Sequence, residues 1–244
     1  ERGVINVVMS FFHSGQSFKT LNYTTTVLIP NIHIPTELNQ YTIIILSHMF
    51  YTIISNIVPK TIKPVLPLFI SKNQLVFIPN RQLMDKIIIS HECKHILKNK
   101  RQGNDGYMAV KLDMSKAYDR IEWGFLKAVM EKMGFNETWV SWVMKCISTA
   151  SYSFNINGET KGYVKPTRGI RQGDPLSPYL FLLCSERFSN LLRRAAKQGK
   201  LSGLKVSRNG PAITHLFFAD DTLIFCKETK EETLALKEIL NQYE

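Results

Sequence analysis

The chain has 244 residues, 44% apolar and 21% charged, the composition of an ordinary folded protein with room for one large domain or two small lobes. That excludes global disorder, and Cys93, Cys146, Cys184 and Cys226 are too scattered for a disulfide-stapled scaffold, so free thiols in a reducing compartment are expected. Lys and Arg number 31 against 20 Asp and Glu, and the resulting charge of +11 favours a polyanionic partner, nucleic acid or anionic membrane, without choosing between them.

No secretory leader is expected, because the first apolar run is short and lacks a charged start and a small-residue cleavage site. Up to residue 106 the sequence is rich in Ile, Thr and Asn and broken by Pro30, Pro35, Pro59, Pro64, Pro67 and Pro79. Residues 41–58 approach the length of a membrane span, but His48 and Asn56 interrupt them and Pro59 follows, so a buried Ile-rich helix is the better expectation, with no membrane partner. His91 and His95 flank Cys93 without a second ligand pair nearby, which argues against a zinc site.

The polar stretch 99–106 marks a change, after which strand and helix signals alternate. Over residues 107–114, Met108, Val110 and Leu112 share one face while Ala109, Lys111 and Asp113 share the other, which predicts a strand ending at Asp113. Helical spacing of Phe125, Leu126, Val129, Met130 and Met133 predicts a helix over 122–133, stopped by Gly134, and a second follows over 137–149. Residues 151–157 and 162–167 flank Asn157-Gly158, a dipeptide suited to a tight hairpin turn. Asp174-Pro175 starts a helix to about Gly199 with Leu176, Tyr179, Leu180, Leu183 and Phe188 facing inward. Residues 203–207 and 213–226 read as strands, and a last helix begins at Lys230.

The segment LFFADDTLIF, residues 216–225, inserts two adjacent carboxylates between runs apolar on both faces. Such runs suit a central, well-covered strand pair with the acids in the joining turn. Adjacent aspartates repel unless a cation neutralises them, although Asp-Asp is also ordinary turn chemistry. Asp113 ends another strand of the same expected sheet, and three carboxylates from two strand ends make a hard oxygen site suited to Mg²⁺. Two such ions about 3.5–4 Å apart clamp the attacking and leaving oxygens of an in-line phosphoryl displacement, which is polymerase chemistry.

Three blocks, AVKLDMSKAYDRIEW, RGIRQGDPLSPYLF and HLFFADDTLIF, resemble motifs A, B and C of the reverse transcriptases of non-LTR (LINE-type) retrotransposons, especially those of plant genomes, in the expected order. Upstream, YTIISNIVPKTIKPVLPLFISKNQLVFIPNRQLMDKIII is similar to that family's fingers region, so the resemblance covers nearly the whole chain. It implies an α+β right-hand polymerase fold, with a fingers-like region over residues 1–106 and a palm over 107–244 built on a ferredoxin-like antiparallel sheet with packed helices. It further implies RNA-directed DNA polymerase activity with two Mg²⁺ ions, an RNA template, a DNA primer, deoxynucleoside triphosphates, and an intracellular, nuclear location.

Carried over residue by residue, Asp113, Asp220 and Asp221 match the catalytic metal-binding aspartates, and the carbonyl of Met114 a further ligand. Tyr118 matches the aromatic beneath the incoming sugar, where a ring clashes with a 2′-hydroxyl; without the resemblance it reads as a core aromatic. Gln172 matches a contact to the incoming deoxynucleotide, and Gly169 and Gly173 belong to a loop whose backbone approaches the nucleotide closely. Arg168 and Arg171 are candidates for a groove that tracks nucleic-acid backbone, with Arg193, Arg194, Lys197 and Lys200, although a solvated helix face explains the last four equally well.

The chain departs from the family in its fingers. Thr42 stands in place of an arginine expected to neutralise phosphate, Asn31 in place of a lysine and Asn80 in place of a glycine, while Thr52, Asn56 and Thr61 occupy further basic positions. With the sequence stopping at Glu244, soon after motif C and without a thumb, these departures point to a partial, decayed copy with activity weak or lost. The alternatives are a catalytically inactive nucleic-acid-binding remnant and, from another class, a membrane-anchored or structural protein. An RNA-dependent RNA polymerase or a nucleotide cyclase is disfavoured by Tyr118 and by the FADD context.

Overall fold

The computed structural model describes residues 2–14, 19–45, 48–74, 76–79, 81, 83–99, 106–207, 210–218 and 220–243, without the side chains of residues 14, 39, 43–45, 83, 85 and 86. In chain order its elements are α1 (Arg2–Ser14), β1 (Tyr23–Pro30), β2 (Tyr41–Ile45), α2 (Met49–Ile62), α3 (Leu66–Phe69), α4 (Leu83–Asn99), β3 (Tyr107–Asp113), α5 (Trp123–Lys132) and α6 (Glu137–Ser148). They continue with β4 (Ser151–Ile156), β5 (Glu159–Val164), α7 (Ser177–Lys197), β6 (Leu204–Lys205), β7 (Ala212–Ile213), β8 (His215–Phe218), β9 (Asp221–Lys227) and α8 (Lys230–Tyr243). Asn80 and most of the expected domain boundary at 99–106 lie outside the described residues.

Two compact units form, each from two stretches of chain: Glu1–Ile62 with Tyr118–Ser177, and Lys63–Ala117 with Pro178–Glu244. They do not fall on either side of the expected boundary at residue 106. The reason is long-range pairing: β1 runs parallel to β4 in the register Tyr23↔Ser151 to Val27↔Asn155, which ties the N-terminal stretch to residues far along the chain.

The first unit holds a four-stranded sheet in the order β2-β1-β4-β5. Residues 41–58 are not the single helix expected from their apolar run. Thr42 and the isoleucines after it extend as β2 against β1, with Val27 opposite Ile44, and the helix begins only at Met49. β-branched side chains favour the extended form when a partner strand is available. No helix of the described residues is long and apolar enough to cross a membrane. In the β4–β5 hairpin, Asn157 and Gly158 take φ of 53° and 87°, the left-handed pair that the sequence signals.

The second unit carries the sheet β3-β9-β8. Its central strand β9 is covered on both faces. Ile224 and Cys226 pack with Phe188, Leu192 and Ala195 of α7 and Leu236 and Ile239 of α8, joined at the margin by Met108, Val110 and Leu112 of β3. On the opposite face Phe225 packs with Leu216, Leu204 and Cys93 of α4. Each such fully buried side chain is worth roughly 1.5–3 kcal/mol, so packing on both faces fixes this strand firmly. The strand pair that the two apolar runs of 216–225 predict is β8 and β9; of the two acids expected in the joining turn, Asp220 lies in it, while Asp221 opens β9.

Candidate active site

In the second unit the register of the antiparallel ladder brings the acids together at backbone level. Asp113, the last residue of β3, lies directly opposite Asp221 on β9, and Phe218 of β8 pairs with the same Asp221, with Asp220 in the turn before it. Opposed residues in such a ladder have Cα atoms about 4.5–5.5 Å apart. Alternation along the strands puts Lys111, Asp113 and Asp221 on one face, opposite the apolar side chains that pack under α7 and α8.

Lys111 Nζ lies 3.0 Å from Asp221 Oδ1 on this face. Its ammonium is held above the usual lysine value, first by the hydrogen bond to Asp221 and the charge of that carboxylate, then by the charges of Asp113 and Asp220. All three acids therefore act on one point. Among the described residues, however, no three His, Cys, Asp or Glu side chains close up into a metal-binding set. Like charges at one sheet end spread apart, and Asp221 turns to the neighbouring ammonium. Three carboxylates and the Met114 carbonyl are the hard oxygen donors that Mg²⁺ prefers, so the residues fit such an ion by chemistry and by backbone placement. The Met114 carbonyl already accepts a hydrogen bond from Ala117 N at 3.1 Å, closing the turn after β3.

The first unit carries Tyr118 and the loop over residues 168–174. Ile170 N donates to Tyr118 O at 2.9 Å, Gly169 N to Ile121 O at 2.8 Å, and Trp123 Nε1 to Gly169 O at 2.7 Å. Gly169 has φ +87°, and a Cβ there would stand 3.0 Å from Asp119 O, so close approach and backbone angle both demand glycine. Tyr118 is half-buried, while Gln172 and Gly173 are exposed; Gly173 has φ +78° and open space around it. Arg168 is exposed beside Glu122 at 3.3 Å.

Arg171 is not a groove residue, contrary to the sequence expectation. It is 6% exposed, its Nε donates to Tyr152 Oη at 2.9 Å, and its Nη2 donates to Asn22 O at 2.9 Å. The ring of Tyr51 stands 4.5 Å from the guanidinium carbon and that of Tyr152 5.2 Å, so two aromatic faces replace water around the charge. Asp174 is likewise buried: it accepts from Leu176 N at 3.0 Å and from the Tyr51 hydroxyl. This capped turn moves the start of α7 to Ser177, two residues beyond the expected Pro175. In the same unit, Thr42 Oγ1 donates to Asn31 Oδ1 at 2.6 Å, so the two neutral residues at positions expected to be basic satisfy each other.

Sequence reasoning missed a buried polar network in the second unit. His215 on β8 is 0% exposed, with ring nitrogens 2.9 Å from Ser189 Oγ, 2.8 Å from Thr214 Oγ1 and 3.0 Å from Asn73 Nδ2. Burial, and then the charge of Arg193, pushes His215 down to about 3. Nearby, Glu186 accepts from Ser71 N at 2.9 Å, and Arg81 donates to the carbonyls of Ile70, Ser71 and Gln74. The only local signal was a histidine inside an apolar run.

The reverse transcriptase (RNA-dependent DNA polymerase) family matches residues 34–244. An uncharacterized mitochondrial protein of Arabidopsis thaliana is 64% identical over 69 residues, 28% of this chain and 57% of that protein. The retrovirus-related Pol polyprotein from type-2 retrotransposable element R2DM of Drosophila melanogaster is 32% identical over 149 residues, 61% of this chain and 12% of the polyprotein. Among solved structures, apo telomerase from Candida tropicalis, truncated from its C-terminal domain, matches with a TM-score of 0.59 and 13% identity, over 99% of this chain and 52% of that one. The chain thus spans between about an eighth and just over half of the relatives it matches. The likeness to telomerase establishes the right-hand polymerase fold. Because the family match runs through most of the sequence and Pol polyproteins of retrotransposable elements are its relatives, the chain belongs to the reverse transcriptase family, among those of non-LTR retrotransposons.

Proposed function

We propose that this chain carries the polymerase centre of a LINE-type retroelement and copies RNA into DNA by two-metal nucleotidyl transfer, inside the cell and at the nucleus. The observation that supports it most is the β3–β9 register, with Asp113 opposite Asp221 and Asp220 in the adjoining turn. The family generally uses divalent metals. Mg²⁺ at these acids would align a primer 3′-hydroxyl with the α-phosphate and neutralise charge developing on the oxygens. Asp113, Asp220 and Asp221 bind the ions, with the Met114 carbonyl as a further donor. Tyr118 rejects a 2′-hydroxyl, and Gln172 and Gly173 meet the incoming deoxynucleotide. Arg168 is exposed and paired at the surface with Glu122, a pair weak enough to be exchanged for a phosphate of template or primer.

Primer extension on an RNA template, comparing wild type with Asp220→Asn, tests this. Loss of one metal-binding carboxylate is expected to lower incorporation about 100-fold or more. Equal incorporation by the two proteins overturns the catalytic assignment.

The Thr42–Asn31 hydrogen bond favours a second reading, a nucleic-acid-binding remnant whose triphosphate grip is lost, since a neutral hydroxyl cannot make charge-assisted bonds to phosphate. Under this reading wild type binds RNA yet incorporates no deoxynucleotide, and Asn31→Lys combined with Thr42→Arg restores none.

A further inference from the structure

The tetrapeptide Arg171-Gln172-Gly173-Asp174 is buried at its ends and open in the middle. Arg171 is 6% exposed and Asp174 7%, while Gln172 and Gly173 stand in solvent. One residue of α2 serves both ends. Tyr51, itself 1% exposed, sets its ring face 4.5 Å from the Arg171 guanidinium and donates a hydrogen bond from its hydroxyl to Asp174. Tyr152 of β4 closes the other side, accepting from Arg171 Nε at 2.9 Å, and the Asn22 carbonyl accepts from Nη2 at the same distance.

The geometry points to Tyr51, Arg171 and Asp174 as an internal clamp that touches neither nucleic acid nor nucleotide. It holds Gln172 and Gly173 in the conformation that receives the incoming deoxynucleotide, so all three are positioning residues. The inference deepens the proposed function and rests on its assignment of Gln172 and Gly173. A dipeptide pinned at both ends has lost its backbone freedom before the ligand arrives, so binding does not bear that cost. The planar fork of arginine is required here, because a lysine ammonium in the same cage keeps the charge but not the two directed bonds or the stacking on Tyr51.

The test uses the full chain with three variants. Tyr51→Phe keeps the ring and removes only the hydroxyl on Asp174; Arg171→Lys keeps the charge; Arg171→Gln removes it. The measurements are KM and kcat for a deoxynucleotide on a DNA-primed RNA template, template–primer affinity across a salt series, and hydrogen exchange at the bonded amides of Ile170, Leu176 and Ser177. The expected result is a KM raised about five- to tenfold in Tyr51→Phe and Arg171→Lys with kcat within about twofold, since misplacing a binding group acts chiefly on ligand binding. Exchange at the three amides quickens, and the salt slope of Arg171→Gln equals that of wild type. Arg171→Lys indistinguishable from wild type in KM and exchange overturns the clamp. So does an Arg171→Gln salt slope shallower by about 0.9, the mark of a lost phosphate contact. Should the Arg171 variants fail to fold, Tyr51→Phe decides alone. Should wild type incorporate no more than Asp220→Asn, the polymerase reading has failed, and exchange still decides the clamp: quicker at the three amides supports it, unchanged overturns it.

Discussion

His215 shows how one side chain couples the sheet beside the aspartates to pH. Buried on β8 and bonded to Ser189 and Thr214, it is pushed from 6.5 down to about 3, so the folded chain refuses a proton that the unfolded chain accepts. Stability contributed by the neutral ring is complete above pH 6.5 and drains away as the pH falls toward about 3. At pH 5 the loss is about 2 kcal/mol. Glu186, raised by burial, works the other way, because the folded chain takes up its proton more readily than the unfolded one. The His215 effect is therefore read as a difference: between pH 7 and 5 the urea midpoint of wild type falls further than that of His215→Gln. The glycines of the 168–174 loop give a second contrast at this scale. Alanine at Gly169 meets Asp119 O at 3.0 Å and also strains a φ of +87°, whereas alanine at Gly173 strains φ alone in open space. Gly169→Ala is expected to lower unfolding free energy by about 2–3 kcal/mol and Gly173→Ala by about 1 kcal/mol, measured by urea titration.

Among the elements, β9 and β5 are opposite cases. Ile224 on β9 is 0% exposed and packed beneath α7 and α8, while every residue of β5 is exposed. Ile224→Ala is expected to cost about 2–5 kcal/mol and Tyr163→Ala less than about 0.5 kcal/mol, a difference that chemical denaturation resolves. The same contrast governs what the sequence discloses. β3 was legible because Met108, Val110 and Leu112 alternate with Lys111 and Asp113, and the β4–β5 turn because Asn157 and Gly158 tolerate left-handed angles. α7 was legible from its inward apolar spacing, apart from a start shifted by the Asp174 cap. The partners of a strand are a different matter: nothing local to Tyr23 says that it will lie beside Ser151. An Ile-rich run suits helix and strand alike, so β2 was absorbed into a helix. Arg171 misled for a related reason, since a cation between glycines reads as surface charge while the rings that enclose it, Tyr51 and Tyr152, come from distant elements.

At the scale of the whole chain, both units are discontinuous, and neither can be completed until residues beyond Tyr118 are made. The sequence motifs are therefore not modules in their own right: motif A begins in the second unit, with Asp113, and from its aromatic Tyr118 onward it belongs to the first. What the chain shares as a whole is its charge. A net +11 acts on any polyanion at long range, whereas the three acids and Lys111 are a local feature that the total conceals. Binding to an RNA–DNA duplex should then be governed by displaced counterions. Neutralising about six phosphates predicts a loss of roughly a thousandfold in affinity between about 50 and 200 mM salt. Arg168→Gln should make the slope of log affinity against log salt shallower by about 0.9, because its exposed pair with Glu122 is too weak to keep it from a phosphate. Asp220→Asn should leave the slope as it is, since a carboxylate releases no counterion from nucleic acid. Fluorescence anisotropy across a salt series measures all three, and an affinity indifferent to salt would remove nucleic-acid backbone from the partners of this surface.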